Sequence, residues 1–212
     1  MMTKTDLSWD PHCTVPLPST RGTAYPASQC IGSEYNMASL NEPQRAFEGE
    51  QSLTSEGVYV SLTYDELDAS KAMARVKSPK AGAVVLFAGC TRDSFASKAV
   101  THLAYSTYAP LALRSLLSIA KDIRSKHDLV NIAVTHRLGR VDIGEESILI
   151  AVSAPHRKAG WTSGEECLER VKQRVEIWKE EWFEDGGVWR SNRDGAAGVP
   201  VADALGNSST PS

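Results

Sequence analysis

Apolar and polar positions along the chain predict one folded segment with a polar segment on either side. Between residues 56 and 193, apolar residues recur at the period of two typical of strands or at the spacing of three and four typical of helices. Residues 1–55 and 194–212 show neither period and are rich in Ser, Thr, Pro and Asn. Such segments bury too little apolar surface to offset the entropy lost on ordering. We therefore predict a disordered N-terminal extension (1–55), one domain (56–193) and a disordered C-terminal tail (194–212).

Strand and helix patterns are mixed within this domain. The strand patterns cover 57–63, 83–89, 102–108, 131–139 and 146–154. The strand 102–108 is expected to pair with the strand before it. Because this order mixes hairpins with crossover connections, the predicted fold class is α+β with a largely antiparallel sheet.

Three helices are predicted between these strands. Thr63 and Glu66 have the spacing of a capping box, so the first helix is expected to begin there. The second, over 110–126, has the clearest amphipathic pattern, and its apolar face consists of Leu113, Leu116, Leu117, Ala120 and Ile123. The third is predicted over 159–182, with a buried stripe of Gly164, Leu168, Val171, Val175, Trp178 and Trp182.

Two lysines on the third predicted helix are separated by two turns. Lys172 and Lys179 would point in the same direction, roughly 10 Å apart along the helix axis. Glu169 and Glu176 lie three or four residues from these lysines, which is the spacing of exposed ion pairs. The lysines are therefore either part of a solvated face or a pair of ammonium groups directed at an anionic ligand.

The charge and motif content of the chain excludes several classes of protein. The net charge of −3 gives no reason to expect nucleic-acid binding, so an anion site would need a local concentration of cations. The common nucleotide and hydrolase motifs (GxGxxG, P-loop and GxSxG) are absent. Four cysteines lack the spacing of a zinc site or a disulfide framework, so we expect neither metal nor cofactor, and a reducing compartment.

No segment has the composition expected of a membrane span. The longest apolar-rich run, 81–89, is far shorter than the roughly 20 residues that a spanning helix needs. The first residues lack an apolar signal core and include Asp6 and Asp10, unlike an organellar transit peptide. These features predict a cytosolic protein without membrane contact.

Three further sites, one of them a pair of residues, are candidates for chemistry. Arg92 follows a buried strand, where loops present functional groups, although a solvated loop arginine is the simpler interpretation. His156 and Arg157 stand between a core strand and the third helix, where a cationic pair beside free N–H groups suits a phosphate. A polar connection would look the same. Cys90 would be a nucleophile if nearby Arg92 favoured the thiolate, but no histidine stands beside it in sequence.

Taken together, three segments resemble the catalytic, large subunits of molybdopterin synthases. They are GAVVLFAGCTRD (82–93), THRLGRVDIGEESILIAVSAPHR (135–157) and LERVKQRVEIWKEEWFEDGGVW (168–189). The motif elements occur in the family's order: His136-Arg137-Leu138-Gly139, then His156-Arg157, Lys172 and Trp178-Lys179-Glu180-Glu181.

The resemblance implies a fold, an activity and two partners. The fold would be an α/β-hammerhead with an additional antiparallel β subdomain, and the subunit would dimerise. Each copy would bind a small ubiquitin-like subunit whose C-terminal Gly-Gly carries a thiocarboxylate, giving a heterotetramer. Sulfur would pass from this tail to cyclic pyranopterin monophosphate, and two transfers would form the dithiolene of molybdopterin.

The resemblance also implies roles for the two lysines. Lys172 matches the lysine regarded as catalytic, which acts either as a base or nucleophile or as a cation stabilising developing negative charge. Lys179 is expected to assist catalysis and to hold the substrate or the tail's carboxylate, with Glu181 orienting it. Both lysines and Glu181 are expected to belong to the substrate-binding site.

The substrate phosphate would be bound by three other residues. Arg92, His156 and Arg157 would supply charge-assisted hydrogen-bond donors. Because the family's site is built across the dimer, Arg92 is expected to act on the neighbouring subunit's pocket.

Two other functions remain open at this point. A noncatalytic scaffold would bind a ubiquitin-like tail or a phosphate metabolite without turnover, although it would not need both Lys172 and Lys179. A cysteine-dependent transferase would use Cys90 as its nucleophile.

Overall fold

The computed structural model describes residues 45–184, 186–191 and 199–200. The described elements, in chain order, are β1 (Glu50–Ser55), β2 (Val58–Thr63), α1 (Ala69–Val76), β3 (Ala83–Cys90), β4 (Ser94–Phe95), β5 (Lys98–Thr107), α2 (Ala109–Lys126), β6 (Asn131–Arg137), β7 (Gly139–Asp142), β8 (Glu146–Ala154), α3 (Arg157–Arg174), β9 (Ile177–Phe183), β10 (Gly186–Ser191) and β11 (Val199–Pro200). Helices and mostly antiparallel strands are combined, so the predicted α+β class is confirmed.

The first sheet has helices on both faces. Its strand order is β1-β2-β6-β8-β3, and only β2 and β6 run parallel. Helices α2 and α3 cover one face, and α1 covers the other. Because both faces are covered, β8 is buried from Ser147 to Ala154 and reads as a continuous apolar run.

Helix α2 packs as its apolar positions predict. On α2, Leu113, Leu116, Ala120 and Ile123 are buried, and Leu117 packs against the same core. Close packing of α3 on β3 depends on Gly160, where an added Cβ would lie 3.0 Å from Val85 Cγ2. This contact fixes the helix that carries Lys172.

The second sheet is antiparallel throughout. Its order is β11-β10-β9-β5-β4, with β7 pairing to β5. The predicted pairing of 102–108 with the preceding strand is wrong, because β5 pairs with β9 while β3 pairs with β8.

The third helix is shorter than predicted. It ends at Arg174, and Val175 adopts an extended backbone with ψ 135°. The chain then continues into β9, where Lys179 lies on a strand instead of a helix. Trp178 is exposed and does not join a buried stripe, so the helical arrangement predicted for the two lysines is wrong.

The limits of the first helix and of the domain also differ from the prediction. Helix α1 begins at Ala69 and is capped by Asp68, whose Oδ1 accepts a hydrogen bond from the Lys71 amide at 3.0 Å. Thr63 instead accepts from the Asp65 amide. Strand β1 pairs with β2 and β11 pairs with β10, which corrects the disorder predicted for these two segments. The other residues of the predicted extension and tail, apart from 45–49, lie outside the described residues.

A cluster of charged residues joins the end of α2 to α3. Glu166 accepts hydrogen bonds from Lys126 Nζ at 2.9 Å and is 2.7 Å from His127 Nε2, and it also contacts Arg170. The hydrogen bonds from Lys126 and His127 lower the pKa of Glu166 to about 2 from its ordinary value of 4.5. The ionised carboxylate therefore stabilises the folded state above pH 4.5, and this contribution is lost as pH falls towards 2.

We expect Glu166→Gln to lower the free energy of unfolding by about 1 kcal/mol at pH 7. The difference from the wild type should shrink as pH is lowered from 4.5 towards 2, because the wild-type carboxylate then becomes protonated. Urea unfolding at several pH values measures this difference in the free energy of unfolding. Glu165→Gln, an exposed neighbour on the same helix, is the control and should leave stability unchanged at every pH. A Glu166→Gln deficit that persists undiminished at pH 2 would contradict the assignment.

Candidate active site

Residues of both sheets and of α3 line one cavity of about 460 Å³. The cavity lies at the end of β3, where Gly89 and Cys90 interrupt the pairing with β8 in a bulge. The lining residues are Phe87, Ala88, Gly89, Cys90, Arg92, Ser94, Phe95, Val100, Leu103, Tyr105, His136, Ser147, Ile148, Leu168, Lys172, Lys179 and Glu181.

Three cationic side chains meet in this cavity. Arg92 comes from the turn after β3, Lys172 from the last turn of α3 and Lys179 from β9. The turn that carries Arg92 is anchored by Thr91, which is 3% exposed and whose amide donates to the Glu145 carbonyl at 3.0 Å. The cavity is thus a local concentration of positive charge in a chain of net charge −3.

A buried carboxylate accompanies these cations. Lys179 Nζ lies 3.0 Å from Glu181 Oε1, and the two side chains are 16% and 4% exposed. They are two residues apart on β9, so strand alternation directs both side chains to the same face of the sheet. An ion pair of this kind holds the Lys179 ammonium in place.

Tyr105, His136 and Ser147 form what is called here the floor of the cavity, which is polar but uncharged. His136 Nδ1 lies 2.7 Å from the Arg137 carbonyl, and the His136 ring meets the Tyr105 ring edge-on with centroids 5.0 Å apart. Burial lowers the pKa of His136 to about 4, so its imidazole is neutral at physiological pH. Burial also raises the pKa of Tyr105 to about 12, which keeps its hydroxyl protonated. Ser147 Oγ donates to the Gly89 carbonyl at 3.2 Å.

Apolar side chains also line the cavity and are called its walls here. Phe87 and Phe95 come from β3 and β4, and Leu103 and Leu168 come from β5 and α3. Phe87 is 37% exposed. Cavities that combine apolar walls with a few polar groups are typical of small-molecule sites.

The structure does not bring every predicted site residue into this cavity. His156 is the N-cap of α3 and Arg157 is its first residue, and both are exposed. Lys172 lies fifteen residues after Arg157 on the same helix, so the two positions are about 22 Å apart along the axis. Arg92, which was expected to serve a neighbouring subunit, lines the cavity of its own chain. Cys90, the candidate for a rival mechanism, also lines it and is a free thiol.

Sequence reasoning missed the floor of the cavity as a functional element. Tyr105 lies within a strand pattern and Ser147 within an apolar strand, so neither differs in sequence from a core residue. His136 belongs to the HRLG motif that contributed to the family resemblance, which was the only signal for it. No group of three or more His, Cys, Asp or Glu side chains in the described part of the chain could hold a metal ion.

Comparison with known proteins identifies the family. A family model described as "MoaE protein" matches residues 62–174, more than half of the chain. The chain belongs to the MoaE family. A MoaE relative from Neurospora crassa, named molybdopterin synthase catalytic subunit, is 55% identical over 168 residues, which cover 78% of this chain and 82% of the relative. The predicted resemblance and the predicted sulfur-transferring enzyme class are therefore confirmed.

Solved structures show the same MoaE fold. Molybdopterin synthase from Staphylococcus aureus superimposes with a TM-score of 0.59 at 32% identity, covering 61% of this chain and 94% of that one. A complex of subunits 1 and 2 of molybdopterin-converting factor from Helicobacter pylori gives a TM-score of 0.51, covering 63% and 91%. At 20% identity, that second match supports the fold alone. None of the helices in the described residues is long and apolar enough to cross a membrane.

Proposed function

We propose that the chain transfers sulfur from the thiocarboxylated C-terminus of a small ubiquitin-like subunit to cyclic pyranopterin monophosphate, forming the dithiolene of molybdopterin. The observation that carries this proposal is the meeting of Arg92, Lys172 and Lys179 in one cavity, because both reactants are anions. The substrate brings a phosphate and the tail brings a thiocarboxylate, and each needs cationic donors.

The cavity provides the groups that such a transfer requires. The thiocarboxylate sulfur forms a bond to a substrate carbon as a carbon–oxygen bond at that carbon breaks and the oxygen group leaves, which gives a thioester between tail and substrate. Water, or the Lys172 amine, then attacks the acyl carbon, and the acyl–sulfur bond breaks so that the sulfur stays on the substrate. The tail is released as a carboxylate, directly when water attacks or after hydrolysis of the amide when Lys172 attacks. Lys172, in the last turn of α3, either supplies the attacking amine or base or stabilises the negative charge that develops. Lys179 is held by the buried Glu181 and binds the substrate or the tail's carboxylate. Two transfers, from two tails, complete the product.

The small-subunit partner is part of the same proposal. The resemblance of the chain to molybdopterin synthase catalytic subunits supports it, and the Helicobacter pylori structure is itself a complex of two subunits. The cavity has a volume of about 460 Å³. A tail that ends in two glycines has no side chains there, so only its backbone has to fit. A cytosolic location is also proposed, since Cys90 and Cys167 are free thiols.

A homodimer explains the position of His156 and Arg157. Strand β3 is the outermost strand of its sheet, and no described strand pairs with its outer edge. An exposed edge of this kind is a template for pairing with another chain. Val84 and Phe87 on this strand are each 37% exposed, which leaves apolar surface for a second copy to cover.

The register of β3 shows what such pairing would bring together. Ala83, the first residue of β3, pairs with Ala154, two residues before His156. Cys90, the last residue, lies at the cavity, about 23 Å along the strand. A two-fold axis through the middle of β3 would place the start of one strand beside the end of the other. The partner subunit's His156 and the partner subunit's Arg157 would then lie near Arg92.

Reconstitution tests the proposed function directly. The purified chain is mixed with thiocarboxylated small subunit and cyclic pyranopterin monophosphate, and molybdopterin is quantified. We expect product from the wild type and from Cys90→Ser, because Cys90 is not the proposed nucleophile. Loss of product with Cys90→Ser alone would favour the cysteine-dependent transferase. Binding of the small subunit without any wild-type product would favour a noncatalytic scaffold.

A further inference from the structure

On the uncharged floor of the cavity, the hydrogen bonds of His136 define which of its ring nitrogens carries a proton. His136 is the penultimate residue of β6, where it pairs with Ile148 of β8, and it is 2% exposed while lining the cavity. Its ring position is constrained on one side by the edge-on Tyr105 ring. The imidazole is therefore held in one orientation by packing.

The tautomer of His136 follows from its hydrogen bond. A backbone carbonyl can only accept, so the 2.7 Å contact with the Arg137 carbonyl requires a proton on Nδ1. Burial keeps the ring neutral, as the low pKa of His136 indicates. In a neutral imidazole with Nδ1 protonated, Nε2 has a lone pair and no proton. Among the described residues, only Nδ1 of this ring has a hydrogen-bond partner.

The floor and the rest of the cavity thus have different preferences. Arg92, Lys172 and Lys179 only donate hydrogen bonds and attract anionic parts of a ligand. His136 Nε2 only accepts, so it suits a neutral N–H group. A ligand with an anionic end and an N–H donor would satisfy both regions.

We propose that His136 Nε2 is a specificity-determining acceptor that binds an N–H donor of the bound ligand at the floor of the cavity. This inference rests on the proposed function, which supplies two ligands with such a donor. The pyranopterin ring system carries N–H groups, and so does the glycine backbone of the small subunit's tail. The shared chemistry is an N–H donor, and the experiment separates the two sources.

Two variants separate the acceptor from the shape of the ring. His136→Phe keeps an aromatic ring against Tyr105 but removes the acceptor. His136→Gln reaches the position of Nε2 and offers an amide oxygen as acceptor. Dissociation constants are measured by calorimetry with cyclic pyranopterin monophosphate alone and with carboxylate-ended small subunit alone. We expect His136→Phe to weaken binding of one of these about tenfold. We expect His136→Gln to recover most of the affinity lost in His136→Phe.

A spectroscopic measurement on the wild type excludes a purely structural role. The ¹⁵N resonance of His136 Nε2 should report an unprotonated nitrogen in the free protein and move towards that of a hydrogen-bonded nitrogen with one ligand. The ligand that moves it identifies the source of the N–H group. An unchanged resonance with both ligands would overturn the inference. So would equal losses of affinity in His136→Phe and His136→Gln, or wild-type affinity for both ligands in a folded His136→Phe.

Failure of this inference differs from failure of the proposed function. If the wild type forms molybdopterin while the ¹⁵N resonance of His136 Nε2 changes with neither ligand, only the proposed role of His136 is wrong. If the wild type binds neither ligand and forms no product, the proposed function is wrong, and the inference that rests on it is overturned as well.

Discussion

Replacing Lys172 by alanine is expected to abolish nearly all molybdopterin formation while leaving the chain folded. Lys172 lies in the last turn of α3 and lines the cavity with Arg92 and Lys179. Loss of a nucleophile, a base or a charge stabiliser at the reacting centre lowers turnover by about 10²- to 10⁴-fold. Single-turnover formation of molybdopterin, with excess small subunit, measures this loss.

The control for this prediction lies two residues further along the same helix turn. Arg174→Ala also removes a cation from the end of α3, but Arg174 is exposed and does not line the cavity. Its turnover should remain within about twofold of wild type, since surface substitutions away from a site have small effects. Equal activity of Lys172→Ala and Arg174→Ala would mean that Lys172 is part of a solvated face and takes no part in catalysis.

Lys172→Arg then separates the two roles left open for the lysine. Arginine keeps the positive charge but does not lose its proton at neutral pH. Substantial activity in Lys172→Arg would indicate that charge stabilisation suffices. Activity as low as that of Lys172→Ala would indicate that a neutral amine acts as base or nucleophile.

The second large effect is expected in dimers assembled from two different variants. We propose that each site combines Lys172 of one subunit with His156 and Arg157 of the other. A homodimer of Lys172→Ala, or of the double variant His156→Ala/Arg157→Ala, should have little activity. A heterodimer of the two, purified through two different tags, should recover about half of the wild-type activity, because one of its two sites is intact.

The reverse arrangement gives a matched control. All three substitutions are placed in one chain, which is then paired with a wild-type chain. A site built across the dimer predicts almost no activity in this heterodimer, because each site receives at least one defect. A site contained within one chain predicts the opposite pattern: about half activity here and almost none in the first heterodimer. That opposite pattern would refute the proposed pairing through β3.

Several elements were predictable because local and tertiary preferences agree. The apolar positions of α2 recur at helical spacing, and they are buried in the structure. The apolar run of β8 is long enough for a strand and is covered by helices on both faces. Where burial follows the periodicity of the backbone, the sequence pattern is sufficient to identify the element.

The transition from α3 to β9 was not predictable for a specific physical reason. Strand β9 directs Ile177, Lys179, Glu181 and Phe183 to one face, and two of these four are charged. The charged pair interrupts the apolar alternation that would indicate a strand. Burial of Lys179 and Glu181 is tolerable because the two side chains pair with each other at 3.0 Å. In addition, the apolar residues Val171, Val175, Trp178 and Trp182 recur at intervals of three and four, which is the spacing of a continuous helix.

The sequence alone therefore determined the α+β class, the family resemblance and the cationic residues Arg92, Lys172 and Lys179. Charged side chains in ordered motifs remain distinctive without a structure. Only the tertiary structure decided that these three share one cavity, and that Tyr105 and His136 form its floor. It also separated His156 and Arg157 from that cavity within one chain. These facts depend on which strands pair and where a helix ends, and such long-range contacts leave no periodic signal in the sequence.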